Sequence, residues 1–152
     1  MKSLLNQSEA EAIYGRINCF RPESARQWGR MTPNQMLCHL SDSFLMVMGE
    51  REAKFVGNFF MTSLGKWLAL KAPMKWPPGV KTGASADQEQ DGTKPIEFAQ
   101  DRQKLLALIH RFTNGNRDFE FVPHPMFGKL TIEEWMRWGY LHCDHHLRQF
   151  GI

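Results

Sequence analysis

The chain has no run of 18 consecutive apolar residues, so no membrane-spanning helix is expected. Its cysteines, Cys19, Cys38 and Cys143, are odd in number and never form a Cys-x-x-Cys pattern, which points away from a disulfide framework and from a cysteine-type zinc site. Lysine and arginine exceed aspartate and glutamate only by 19 to 16, without a dense basic block, and give no reason to expect a nucleic-acid partner. Glycine-rich dinucleotide loops, phosphate-binding loops, nucleophile elbows and repeats of 20 to 50 residues are likewise missing. The stretch from Met1 to Gln7 turns polar too early for a signal-peptide core. With 152 residues and a negative mean hydropathy, the chain reads as one soluble, cytoplasmic domain spanning 1–152.

What is present is helical pattern with start signals. Ser8-Glu9-Ala10-Glu11 reads as a capping box ahead of Ile13, Tyr14 and Ile17. Thr32-Pro33-Asn34-Gln35 offers a threonine cap, proline at the first helical position and glutamine three residues beyond the cap. Thr131-Ile132-Glu133-Glu134 opens the last helix in the same way. A further apolar period runs from about Pro95 to Thr113 and stops at Asn114-Gly115-Asn116. Between the second and fourth of these segments, Phe55 to Lys71 carries Phe59, Phe60, Leu64, Trp67 and Leu68 along one broad face. It reads as a helical crossover that covers a bundle and keeps its lysines in solvent. Pro73 to Ser85 is too rich in proline and glycine for regular structure, and both a site rim and a disordered loop remain open for it. The aromatic residues fall at helical spacing, as core residues do. The fold class is therefore all-α, a four-helix bundle with a long crossover connection and additional short helical segments.

The chemistry concentrates near the end, in His142-Cys143-Asp144-His145-His146-Leu147-Arg148-Gln149. On a helix, positions 142 and 146 differ by about 40° in rotation and about 6 Å in height, so their imidazoles can converge on one ion. His39, His110 and His124 are available as a third ligand. His39 is the best candidate because it lies in an apolar helical stretch, where a buried imidazole needs a partner for each nitrogen. Three neutral imidazoles leave a coordination position open, as catalytic rather than structural sites do. The pair resembles that of zinc proteases, but Cys143 stands where their glutamate base belongs, which argues against that activity. His145 is expected toward the rim or solvent, and Asp144 in a surface or interface role. Gln149 is expected on the face of His146, as a support to a ligand or substrate.

Two blocks carry a family resemblance: Trp28-Gly29-Arg30-Met31-Thr32-Pro33-Asn34-Gln35-Met36-Leu37-Cys38-His39-Leu40, and His124 to Thr131 followed by Trp135 and Tyr140 to Gly151. With them the chain resembles the DinB-like superfamily, in particular its branch of small bacterial proteins of uncharacterised function. The resemblance implies a four-helix bundle, often a homodimer, with a divalent transition metal, zinc or nickel, on His39, His142 and His146. It further implies thiol-dependent S-transfer, with a low-molecular-weight thiol and an electrophile as small-molecule partners. Arg148 departs from the glycine that many relatives carry there, which weakens any transfer of substrate. Metal-dependent hydrolysis is the second enzymatic reading. A third, non-enzymatic reading makes the Phe55 to Lys75 segment, flanked by Lys54, Lys66, Lys71 and Lys75, a membrane- or partner-binding helix. No membrane partner is expected, because the bundle-covering reading explains the same pattern.

Overall fold

The computed structural model describes residues 1–80 and 82–152, whose regular elements are all helical, with no strand among them. Helix α1 spans Gln7–Cys19 and α2 spans Pro33–Val47. A π-helical turn, Met61–Gly65, leads into the short α3, Lys66–Leu70. A 3-10 turn at Ala84–Ala86 precedes α4, Phe98–Thr113, and α5 covers Ile132–Gln149. Among the described residues no helix is long and apolar enough to cross a membrane. The four long helices pack on one another, α2 chiefly against α4 and α1 against α5, while the 3-10 turn rests on α2 and α3 on α5.

Local chemistry explains where these helices begin. Thr32 and Gln35, like Thr131 and Glu134, form reciprocal capping boxes, and Pro33 sits where its missing N–H costs nothing. Helix α1 starts earlier than Ser8 because Asn6 takes the cap: its Oδ1 accepts from the backbone N–H groups of Ser8 and Glu9 and from the Ser8 hydroxyl. Helix α4 starts later than Pro95, with Glu97 as cap. The Asp101 carboxylate turns back to accept the Ile96 N–H at 3.2 Å, and Ile96 is left in solvent.

Helix α2 is the central one. Every residue from Met36 to Phe44 is buried, polar ones included. Ser41 and Ser43 satisfy their hydroxyls on the carbonyls of Leu37 and His39, each at 2.8 Å, but His39 and Asp42 must find partners on other elements. Around this helix the core is aromatic: Phe44 meets Phe112 edge-on at 4.9 Å, and Phe121 stacks on Trp135 at 4.9 Å.

The crossover departs from expectation. Helical structure runs only from 59 to 70, and its large apolar side chains face outward. The side that seats on the body carries Met61, Ala69 and the fully buried Leu70, fastened by Arg137 Nε donating to the Leu70 carbonyl at 3.1 Å and by Lys66 to Glu134 at 3.5 Å. Small and aliphatic residues thus make the contact, and Phe59, Phe60, Leu64, Trp67 and Leu68 remain exposed.

Candidate metal centre

His39 projects from the middle of α2, and His142 and His146 from adjacent turns of α5, so that one nitrogen from each lies within 4.8 Å of the others. His39 and His146 are buried and His142 is partly exposed. The ring centroids stand 4.5 to 5.2 Å apart.

Hydrogen bonding fixes the tautomers of two of the rings. His39 Nδ1 lies 2.9 Å from the Ala86 carbonyl oxygen, which can only accept, so Nδ1 bears the proton and Nε2 a bare lone pair. Gln149 Nε2 donates to the Trp28 carbonyl at 3.0 Å, which orients the amide and turns Oε1 toward His146. At 2.9 Å, His146 Nδ1 must then donate to Oε1, leaving its Nε2 bare as well. His142 Nε2 stands 3.1 Å from His39 Nε2, while its Nδ1 is buried without a partner. One proton between the two Nε2 atoms, or one cation among the three rings, satisfies this arrangement. Nitrogens that share a tetrahedral zinc ion at about 2.0 to 2.1 Å lie about 3.3 Å apart, close to the 3.1 Å between His39 and His142, while the three together lie within 4.8 Å.

Electrostatics favours the ligating form. Burial lowers the pKa of His39, and burial together with the neighbouring imidazoles holds His142 and His146 well below the usual histidine range. All three are neutral at pH 7, as ligation of a metal requires.

The supports of the cluster come from the links between helices. Asp42, fully buried one turn after His39, accepts from Gln88 Nε2 at 3.0 Å and from the N–H and hydroxyl of Thr93 at 2.8 and 2.6 Å, and pairs with Arg51 at 3.2 Å. Arg51 also donates to the Ser85 carbonyl at 2.8 Å. This net holds the loop before α4 against α2 and thereby places the Ala86 carbonyl on His39. Gly29, at φ 76°, completes the other support: a Cβ there would lie 2.5 Å from Gln149 Nε2, so only glycine leaves room for the amide. Replacing Gln149 by Leu should weaken metal binding about 10- to 100-fold, by removing the acceptor that orients His146. Competition with a chelator of known affinity measures this, and an unchanged affinity would remove the proposed role of the amide.

One residue stands elsewhere than expected, and the others keep clear of the cluster as the sequence implies. His145 is not at the rim: it is buried, with Nδ1 3.3 Å from the Trp76 carbonyl and its ring edge-on to Trp28. Asp144 bridges α1 and α5 by pairing with Arg16 and Arg148, each at 2.8 Å, so Arg148 is spent within its own helix. His110 is exposed on α4, and His124 Nδ1 accepts from the N–H groups of Met126 and Phe127; neither joins the cluster. Nor do the cysteines: Cys19 is exposed, and burial pushes the Cys38 and Cys143 thiols up to about 12. The proline-rich link forms part of the surroundings, since the Trp76 ring lies 6.0 Å from His142, which also has Trp138 at 5.1 Å. Sequence reasoning missed Ala86, Trp28 and Trp76. All three act through backbone carbonyls, which carry no side-chain signal. Asp42 was readable as a carboxylate three residues from His39 on a buried helix.

Fold and site together define a helical protein with a three-histidine group able to hold a metal ion. The chain belongs to the family described as "Protein of unknown function (DUF1569)", whose model matches residues 2–151. No curated protein and no solved structure matches it.

Proposed function

We propose that this protein binds a divalent transition metal, zinc or nickel, through His39, His142 and His146, and acts as a metal-dependent enzyme of DinB-like four-helix-bundle type. The observation that carries the reading is the pair of carbonyl- and amide-anchored tautomers, which aim two bare Nε2 lone pairs at the third imidazole. Buried imidazoles with no metal to bind have no need of both being held in the ligating form. A metal there supplies Lewis acidity and lowers the pKa of a small ligand bound to it.

Thiol-dependent S-transfer is the reaction class we favour, with a low-molecular-weight thiol such as bacillithiol, mycothiol or glutathione as the nucleophile. It rests on the DinB-like resemblance and on two features of this chain. Cys38 and Cys143 are buried with raised pKa values, which makes them poor nucleophiles, and exposed Cys19 is not part of the histidine cluster, which favours a sulfur from outside. Asp42, the carboxylate nearest His39 along α2, is fully engaged by Arg51, Gln88 and Thr93, which leaves hydrolysis without its general base there. Partly exposed His142 marks the side from which a thiol and an electrophile would enter, beside Trp76.

A screen of those thiols against varied electrophiles tests the proposal. Metal-loaded protein should turn over a thiol, His39→Ala should abolish turnover, and a variant with all three cysteines changed to Ala should keep it. Loss of turnover in that cysteine-free variant, with fold and metal intact, would assign the nucleophile to the chain itself and overturn the mechanism.

A further inference from the structure

We infer that the outward face of residues 53–80 seats the protein on an anionic lipid bilayer. This docking surface uses none of the three clustered histidines, although Trp76 of the same segment reaches His142. Its apolar side chains are half or more exposed: Phe55 58%, Val56 67%, Phe59 89%, Phe60 53%, Leu64 50% and Trp67 55%. A contiguous set of this kind, including three phenylalanines and a tryptophan, is costly to leave in water and marks a surface that something covers.

Charge identifies the occupant. Between Glu52 and Asp87 the sequence has no carboxylate, yet it carries Lys54, Lys66, Lys71, Lys75 and Lys81. Lys66 is taken by Glu134; Lys54, Lys71 and Lys75 are exposed and form no ion pair among the described residues. Over the whole chain the two signs are nearly balanced, so this segregation is local to the segment that carries the apolar side chains. A second copy is a poor occupant, because a two-fold contact places a patch against itself and would bring these lysines together with no carboxylate in the segment to offset them. An anionic bilayer meets both needs, hydrocarbon for the rings and aliphatic chains and phosphate for the ammonium groups. The helical run from 59 to 70 is about 18 Å long against a hydrocarbon core of about 30 Å, so it lies in the interface plane and does not cross it. This is the opposite of the bundle-covering role that the spacing alone implies, and the exposure of the face is what reverses it.

Co-sedimentation of the full chain with vesicles of phosphatidylcholine alone, or mixed with phosphatidylglycerol, tests the inference, alongside sedimentation equilibrium in solution. Binding should be at least tenfold stronger to the mixed vesicles and should weaken with added salt. Changing Lys54, Lys71 and Lys75 together to Ala should reduce binding about a hundredfold. Phe59→Ser with Trp67→Ser should abolish it with an unchanged melting temperature, and should that pair perturb folding, the lysine variant decides. Folded protein that stays in the supernatant with both vesicle types overturns the proposal. So does a dimer that Phe59→Ser and Trp67→Ser dissociate while vesicles capture neither form, which would assign the face to a second copy.

Discussion

Chelation should lower the melting temperature of the metal-loaded protein by about 8 to 16 °C. A ligand at a free concentration a thousandfold above its dissociation constant stabilises the native state by about 4 kcal/mol, and in a domain of this length each kcal/mol moves the midpoint by about 2 to 4 °C. His39, His142 and His146 converge only when α2 and α5 are packed, so the ion has far less affinity for the unfolded chain. Elemental analysis should find one ion per chain. Ala at any one of the three histidines should cut affinity steeply and remove the chelator effect, whereas His110→Ala should leave both intact. If the protein with both His142→Ala and His146→Ala retains its ion, or if saturating metal and verified chelation give the same melting curve, the site assignment fails.

The second large effect is loss of stability in mild acid. Burial lowers His124 from the usual 6.5 to about 4, and lowers His39, His142, His145 and His146 as well. The unfolded chain takes up protons as the pH falls through about 6.5 and the native chain does not, so the unfolded state binds more protons and stability drops with falling pH. The contribution is complete above pH 6.5 and for His124 is lost by about pH 4, amounting to about 3 kcal/mol for that residue alone. Denaturant midpoints of the metal-free protein should fall across this window, and His124→Gln should flatten the slope by one proton. A midpoint that stays level from pH 6.5 to 4 would show that these imidazoles are not held neutral by the fold.

Much of the framework was legible because it rests on local chemistry. The Thr32 and Thr131 capping boxes are complete in the sequence, and the i, i+4 spacing of His142 and His146 determines their shared face wherever that helix packs. His39 could be singled out because its neighbours are apolar. What the sequence hid is tertiary, apart from one local competition between caps. Asn6 outcompetes Ser8 as cap of α1 through three hydrogen bonds at one oxygen. Periodicity places Phe59, Phe60, Leu64 and Trp67 on a common face but does not say which face the body receives, and here it receives Met61, Ala69 and Leu70. His145 is buried by Trp28 and Trp76, which arrive from links too irregular for any spacing rule to place.

The ligands of the centre are far apart along the chain: 103 residues separate His39 from His142. An ion held by both closes a loop of that length in a protein whose cysteines are all free. A covalent link over about 100 residues removes denatured-state entropy equivalent to about 4 to 5 kcal/mol. A metal held there would be a reversible staple between the second helix and the last, so that those helices part only once the ion has let go of one of them. Resistance to unfolding then depends on how slowly the ion leaves as well as on how well the core packs.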